Sequence, residues 1–377
     1  MDGGIVDSRG PKLAIDTGAS GYLTIDLAAL CRNYEKLSAM VAPARAAAVV
    51  KADSYGLGAN QVSKALYARG CRHFFVAHFM EALRLRPQLP GDATIFVLNG
   101  LLPGNEAACA EGGIVPVINS LDQLRQWSDI AQSLPRRLSA VLQFDTGMSR
   151  LGIPPEDRGS VAAHLQTSDA IDILFIMSHL ASADDVDSAQ NADQLAEMHR
   201  IAAEFPDYDI SFANSGGIFL GGGFHGALAR PGIALYGGAP TNGVANPMEA
   251  VVRLDVAVVQ TRTVPAGARV GYSGVHVTKA PTRLATIAAG YADGLPRSLS
   301  DRGAVYYDGV RLPIVGRVSM DSITIDISAL PEGTLSFGSM VEVLGHHQTL
   351  EDLARDAGLI SYEILTSLGH RYNRQYR

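Results

Sequence analysis

Lysine is scarce in this chain: of 31 basic residues in 377, five are lysine and the remainder arginine. Cysteine is scarcer still, at positions 31, 71 and 109 only, an odd number with wide spacing and no Cys-x-x-Cys pair. That pattern supports neither a disulfide framework nor a metal site, and it points to a reducing compartment. No segment carries the roughly 18 uninterrupted apolar residues of a membrane span, and residues 1–20 hold no stretch resembling a signal core. A cytoplasmic protein is therefore expected, with 1–20 a leader that is poorly ordered or joins the C-terminal domain. The net charge of −7 leaves no basic footprint for nucleic acid. Internal repeats, low-complexity segments and long charge blocks are also missing.

What is present is the composition of a globular enzyme, 47% hydrophobic and 18% charged, long enough for two domains or for a barrel with an appendage. Over 21–247, short apolar runs alternate with longer amphipathic stretches, the mark of repeated strand-helix units on a parallel sheet. Strands are expected at 46–51, 73–77, 94–98, 114–118, 139–144, 171–177 and 210–213, with a last one near Ile233. Helices are expected between them at 59–69, 80–86, 121–133, 188–204 and 219–229. Eight units over that length fit an α/β fold of the (β/α)8, or TIM-barrel, type. From 248 to 377 the texture becomes β-rich, with expected strands at 251–264, 283–289, 305–315, 322–327 and 339–344. Helical stretches are expected at 350–357 and near Tyr362.

Lys51 ends the uncharged run Ala46-Ala47-Ala48-Val49-Val50 and precedes the turn Ala52-Asp53-Ser54-Tyr55-Gly56-Leu57-Gly58. Where most basic positions are arginine, a lysine at a strand's C-terminal end suggests an amine kept for reactivity, because lysine can be deprotonated and attack a carbonyl whereas arginine cannot. That end is where barrel enzymes build their sites. The plainer reading is a strand-closing lysine paired with a carboxylate. Gly56 and Gly58 allow a tight turn, and Tyr55 offers a hydroxyl.

The string 50–58 strongly resembles the pyridoxal-phosphate attachment site of the alanine racemases, fold-type III pyridoxal-phosphate enzymes. The resemblance continues in family order through Asp145–Gly152, Ser178–Asp184, Asn214-Ser215, Arg230–Gly237, Val270–Gly274, Gly290–Gly294, Val315–Asp321 and Ser361–Glu363. Any one of these nine segments is weak; together they cover nearly the whole chain. The resemblance implies a homodimer with shared active sites: a pyridoxal-phosphate barrel, then a domain that completes the neighbour's site. Such an enzyme interconverts L- and D-alanine by two-base proton transfer through a lysine-bound aldimine, and D-alanine feeds peptidoglycan precursors.

By the same resemblance Lys51 carries the cofactor and Tyr272, from the partner subunit, is the opposing acid/base group. Racemisation needs one such group on each face of Cα. Arg150 would touch the cofactor's phenolic oxygen and the substrate carboxylate, a task for a planar charged fork; alone it would read as a surface arginine bridging to Asp145. Arg230, otherwise loop punctuation, would face the pyridine nitrogen and weaken the ring as an electron sink. His179, otherwise a strand-end histidine, would orient the site around Arg230 and Tyr272, lowering the tyrosine's proton affinity. Tyr55, Asn214, Ser215, the backbone near Gly216 and Gly232, and Tyr362 would bind the cofactor, chiefly its phosphate. Met320, Asp321 and Tyr291 would line the substrate pocket.

Three positions depart from the family. Asp53 replaces the usual asparagine and adds a charge near the site, and Leu57 replaces a common histidine. Gln143 stands where many relatives carry a carbamylated lysine that orients the arginine matching Arg150, so no carbamate is expected. The run Gly221-Gly222-Gly223-Phe224 echoes the phosphate loop of barrel-type decarboxylases but comes too late after Asn214-Ser215. A decarboxylase would also need an acid at the pyridine nitrogen and a cysteine after Cys109. A non-catalytic pyridoxal-phosphate carrier would not need the residues beyond 247. A racemase of broader amino-acid range remains the alternative.

Overall fold

The computed structural model describes residues 18–377, so 1–17 of the expected leader lie outside the described residues. The chain forms two compact units, one of 25–252 with 349–368 and 376–377, the other of 18–24 with 253–348 and 369–375. This division differs from the expected 21–247 and 248–377 at both ends. Strand Gly21–Ile25 belongs to the β-rich sheet, and helices Leu350–Ala357 and Ser361–Ser367 belong to the first unit. Residues 18–20 precede that strand, with the Ser20 carbonyl accepting from the Ala257 amide at 2.8 Å.

The first unit is a curled parallel sheet. Strands Ala48–Val49, His73–Val76, Thr94–Val97, Val115–Ile118, Leu138–Gln143, Ile171–Met177 and Ile210–Ser211 pair in sequence order, each parallel to the next. Leu228–Ala229 pairs in parallel with Arg45–Ala46, and the amides of Arg45, Ala47 and Val49 donate to the carbonyls of Ala227, Ala229 and Pro231. The Arg230 amide reaches the Ala213 carbonyl at 2.8 Å, which completes the circuit of a (β/α)8 barrel. Both faces of these strands are covered, which is why they read as continuous apolar runs such as Phe74-Phe75-Val76 and Ile95-Phe96-Val97. The helices read as amphipathic. Leu121–Gln132 is capped by Ser120, whose hydroxyl accepts from the Gln123 amide, and it buries Leu124, Trp127, Ser128 and Ala131 at helical spacing.

Two expectations fail here. The eighth strand lies at Leu228–Ala229, and Ile233 instead begins the 3-10 turn Ile233–Tyr236 after the Pro231-Gly232 break. Beyond Phe219, which ends the short helix Ser215–Phe219, the expected helix 219–229 does not form, because three consecutive glycines offer little helix propensity, and Gly222–Phe224 makes only a single 3-10 turn.

In the second unit, Val252–Val264 is shared between two partners. Its first half pairs antiparallel with Met340–Leu344 and its second half with Thr282–Ile287, with a register shift between Val258 and Gln260. Thr282–Ile287 pairs onward to Ile323–Asp326, and the expected strand 305–315 is a hairpin, Ala304–Tyr307 with Val310–Pro313, turning at Asp308-Gly309. The fold is thus a (β/α)8 barrel with a mainly β second domain. No helix among the described residues is long and apolar enough to cross a membrane.

His73 opens a barrel strand with its ring stacked on Phe96, and burial, aided by the Arg45 charge, pushes its pKa down to about 4. The unfolded chain takes up that proton near pH 6.5, so stability held above pH 6.5 is lost as pH falls towards 4, at on the order of 1 kcal/mol per pH unit. A His73→Phe variant should show a shallower fall in Tm between pH 7 and 4.5 than the parent; parallel curves would refute the assignment.

Candidate active site

Lys51 stands at the C-terminal end of the first barrel strand, where the Val50 amide still donates to the Phe75 carbonyl at 2.8 Å. The next four residues, Ala52, Asp53, Ser54 and Tyr55, all have φ between 52° and 55°, a left-handed turn built without glycine. Such a conformation costs roughly 1–2 kcal/mol per residue. Glu81 helps to offset it: one carboxylate oxygen accepts from the Ala52 amide at 2.6 Å, the other from the Ala77 and His78 amides at 2.8 and 2.9 Å. Asp53 accepts from the Ala59 amide at 2.7 Å, so its charge is occupied in holding the turn to the next helix. Leu57 is fully buried. At Gly58 a Cβ would lie 2.1 Å from the Tyr376 hydroxyl, which donates to the Leu57 carbonyl. Burial first, then the charge of Arg150, lowers the proton affinity of Lys51, with Glu81 acting in the opposite direction.

Arg150 lies on the loop after strand Leu138–Gln143. Asp145 does not bridge to it: one of its carboxylate oxygens accepts from the amides of Gly147, Met148 and Ser149 at 2.8, 3.0 and 3.2 Å. Arg150 is exposed and has no hydrogen-bonding or ion-pair partner among the described residues. With Gln143, Asp145, Met148, Leu151, Ser178 and His179 it lines a cleft of about 200 Å³. Gln143 is buried and neutral beneath it.

Arg230 is 3% exposed. Its guanidinium donates to the Ser211 hydroxyl and the Ser178 carbonyl, both at 2.6 Å, and to the Phe212 carbonyl at 3.5 Å. No carboxylate pairs with it among the described residues, and burial pushes its pKa down to about 9. Among the described residues no hydrogen bond links Arg230 to His179; the guanidinium donates to three neutral oxygens instead. The coupling is through charge. Burial first, then Arg230, Lys51 and Arg150, pushes the His179 pKa down to about 3, so the ring is neutral near pH 7.

A third group surrounds Gly232. A Cβ there would lie 2.4 Å from the Tyr55 hydroxyl, and the Gly232 amide donates to the Ser215 hydroxyl at 2.9 Å. Tyr55 packs between Tyr236 and Tyr362, with ring centroids 4.8 and 5.7 Å apart. Asn214 caps the short helix Ser215–Phe219 through the Gly217 amide. At Gly221 and Gly222, by contrast, nothing lies within 4 Å of a built Cβ, so the later glycine run makes no comparable cradle. An unpaired buried cation, a lysine of lowered proton affinity and a ring of hydroxyls around a glycine suit an anionic, aldehyde-bearing group with an acceptor nitrogen.

In the second unit, Tyr272 lies in a turn with φ of 70° at Gly271 and 63° at Ser273, and it is 69% exposed. The Tyr291 and Ala292 amides donate to the Ser319 and Met320 carbonyls, each at 3.0 Å, which brings Tyr291 and Met320 together. Asp321 pairs with Arg371 at 2.7 Å, and Arg371 also grips buried Asp293 at 2.6 and 2.7 Å. Tyr291 and Met320 are likewise exposed. Sequence reasoning missed Glu81, Arg371 and Tyr236, whose hydroxyl donates to the Val49 carbonyl. Only Glu81 left a signal, the acid three residues after His78 at a helix start. No group of three or more His, Cys, Asp or Glu among the described residues could hold a metal.

Replacing Glu81 by Gln turns an amide N–H towards a backbone donor, a cost of about 1–3 kcal/mol. It also removes the negative charge that raises the proton affinity of Lys51. The midpoint for acylation of Lys51 by an amine reagent in cofactor-free protein, followed by peptide mass spectrometry, should move to lower pH; a shift upward would contradict the arrangement.

Family models for the N-terminal and C-terminal domains of alanine racemase match residues 25–240 and 251–376. A curated relative from Rhizobium johnstonii, named a catabolic alanine racemase, is 72% identical over 377 residues and is covered in full, as is this chain. A second of that name, from Agrobacterium fabrum, is 62% identical over 95% of this chain and 92% of its own. Among solved structures, alanine racemase from Bartonella henselae with covalently bound pyridoxal phosphate superposes with a TM-score of 0.92 at 44% identity, covering 95% of this chain and 100% of that one. The biosynthetic alanine racemase of Pseudomonas aeruginosa gives 0.89 at 31% identity, covering 95% and 99%. On these matches and on its fold, the chain belongs to the alanine racemase family.

Proposed function

We propose that this protein interconverts L- and D-alanine, with pyridoxal phosphate joined covalently to Lys51. The observation that carries the reading is the concentration of positive charge at the barrel mouth. Lys51, Arg150 and Arg230 all bear on His179 there, and burial with the Arg150 charge lowers the lysine's proton affinity, which favours its amine acting as a nucleophile. Tyr55, Ser215, Gly232, Asn214 and Tyr362 would hold the phosphate end, and Arg230 would face the ring nitrogen with His179 beside it. When bound, the cofactor supplies the electron-withdrawing system that stabilises charge left at the substrate Cα.

The remaining chemistry falls to the chain's own side chains. Arg150, without a partner of its own, would orient the substrate carboxylate. The Lys51 amine would take or give a proton on one face of Cα. The Tyr272 hydroxyl would do so on the other, donated by a second copy of the chain, with Met320, Asp321 and Tyr291 completing the pocket. The exposure of Tyr272, Tyr291 and Met320 supports a homodimer in which this surface is covered. Three free, buried thiols support a cytoplasmic location. The names of the two most similar relatives reported above favour a role in alanine use over one in cell-wall supply. Growth of a deletion strain on alanine as carbon source separates the two roles.

Purified protein incubated with L-alanine should form D-alanine. In deuterium oxide, Tyr272→Phe should keep the cofactor and exchange the α-hydrogen of one enantiomer while losing racemisation by roughly 10²–10⁴-fold. Racemisation at the parent rate by that variant would overturn the two-base assignment.

A further inference from the structure

Helix Ala189–Glu204 presents two glutamines one turn apart to the loops that carry Arg150 and His179. Gln194 is fully buried, and its amide makes three hydrogen bonds, with both N–H groups donating. Its carbonyl oxygen accepts from the Ala181 amide at 2.9 Å, and its amide nitrogen donates to the Thr146 hydroxyl at 3.0 Å and to the His179 carbonyl at 2.9 Å. Gln190 repeats the bridge, donating to the Gly147 carbonyl at 3.0 Å and accepting from the Ser182 hydroxyl at 2.6 Å. The Thr146 and Ser178 hydroxyls close the ring at 2.8 Å, and the Ser178 carbonyl is the acceptor that holds Arg230.

The helix does not need these glutamines in order to dock. Arg158 ties it down through Glu197 at 2.6 Å and Glu204 at 3.5 Å, and Met198 and Ile201 bury its apolar face. What the two side chains do is fix residues 146–147 against 179–182. That matters because Arg150 has no partner, so its aim is inherited from the backbone of its loop. The loop is conformationally costly, with Ser149 at φ 56° and Gly152 at φ 113° pressed against the Asp145 amide. Without cross-links such a loop has an incentive to relax.

We propose that Gln194, with Gln190 as its outer rung, is the positioning residue that sets the affinity of Arg150 for the substrate carboxylate, by holding the Arg150 loop in register with the His179 loop. This rests on the reading of Arg150 as the carboxylate-binding side chain. It predicts that removing the bridge weakens carboxylate binding while leaving cofactor attachment in place.

The test uses the holoenzyme, with acetate as the carboxylate probe. Gln194→Met keeps length and volume but makes none of the three hydrogen bonds. It should raise both KM for alanine and the inhibition constant for acetate about ten-fold, with kcat per loaded site and the cofactor absorbance nearly unchanged. Gln190→Ala, at a partly exposed position, should move both constants the same way by a smaller factor, and it decides the matter if Gln194→Met does not fold. Arg150→Lys should weaken acetate on its own, and combining it with Gln194→Met should add little further. A Gln194→Met enzyme with lowered Tm but unchanged KM and acetate inhibition would show a purely structural glutamine and overturn the proposal while sparing the role of Arg150. Unchanged acetate inhibition in Arg150→Lys would remove that role and the proposal together.

Discussion

The site depends on a backbone constraint: four consecutive non-glycine residues held in a left-handed turn directly after Lys51. The conformation is unfavourable residue by residue, so it persists only because its surroundings over-determine it. Glu81 clamps its first amide from the next barrel loop, Asp53 ties it forward to the helix that follows, and Gly56 and Gly58 let the backbone of Leu365 and the hydroxyl of Tyr376 come within the space a side chain would fill. The turn carries Tyr55 towards Gly232 and leaves Lys51 at the strand end facing Arg150 and His179. Both the Lys51 amine and the Tyr55 hydroxyl are thus placed by one strained segment.

Charge is the second organising element. Arg230 is surrounded by neutral oxygens, Arg150 has no partner, and Glu81, the acid whose field reaches Lys51, is occupied by three backbone amides. A buried guanidinium without a counter-charge is costly to maintain. Hydrogen bonds to three neutral oxygens offset part of that cost for Arg230. The neutral His179 ring and the neutral Gln143 side chain add no further charge to the cleft, and the carboxylate that lines it, Asp145, is occupied by three backbone amides of its own loop.

Much of this was legible in the sequence, for physical reasons. Fully covered parallel strands must be apolar runs, and so 73–77, 94–98 and 171–177 announced themselves. Leu228–Ala229 did not, because a two-residue strand has no period, and the more apolar stretch at Ile233 drew the expectation away. Gly21–Ile25 joins strands distant in sequence, a pairing that no local pattern encodes. Lys51, Arg150, His179 and Arg230 were found through chemistry and resemblance, and the barrel gathers them. The left-handed turn was hidden because Ala, Asp, Ser and Tyr give no hint of positive φ. Gln190 and Gln194 were hidden because their partners lie on loops remote in the chain, and a glutamine on a helix reads as a solvated face.

The central claim is that the amine at position 51 is the point of covalent attachment. Reconstituting the protein with pyridoxal phosphate, reducing it with borohydride and sequencing its peptides by mass spectrometry tests this directly. The account predicts a stable pyridoxyl adduct on Lys51, abolished in Lys51→Ala. An adduct confined to Lys12, Lys36, Lys64 or Lys279, or a protein that retains none, would contradict it.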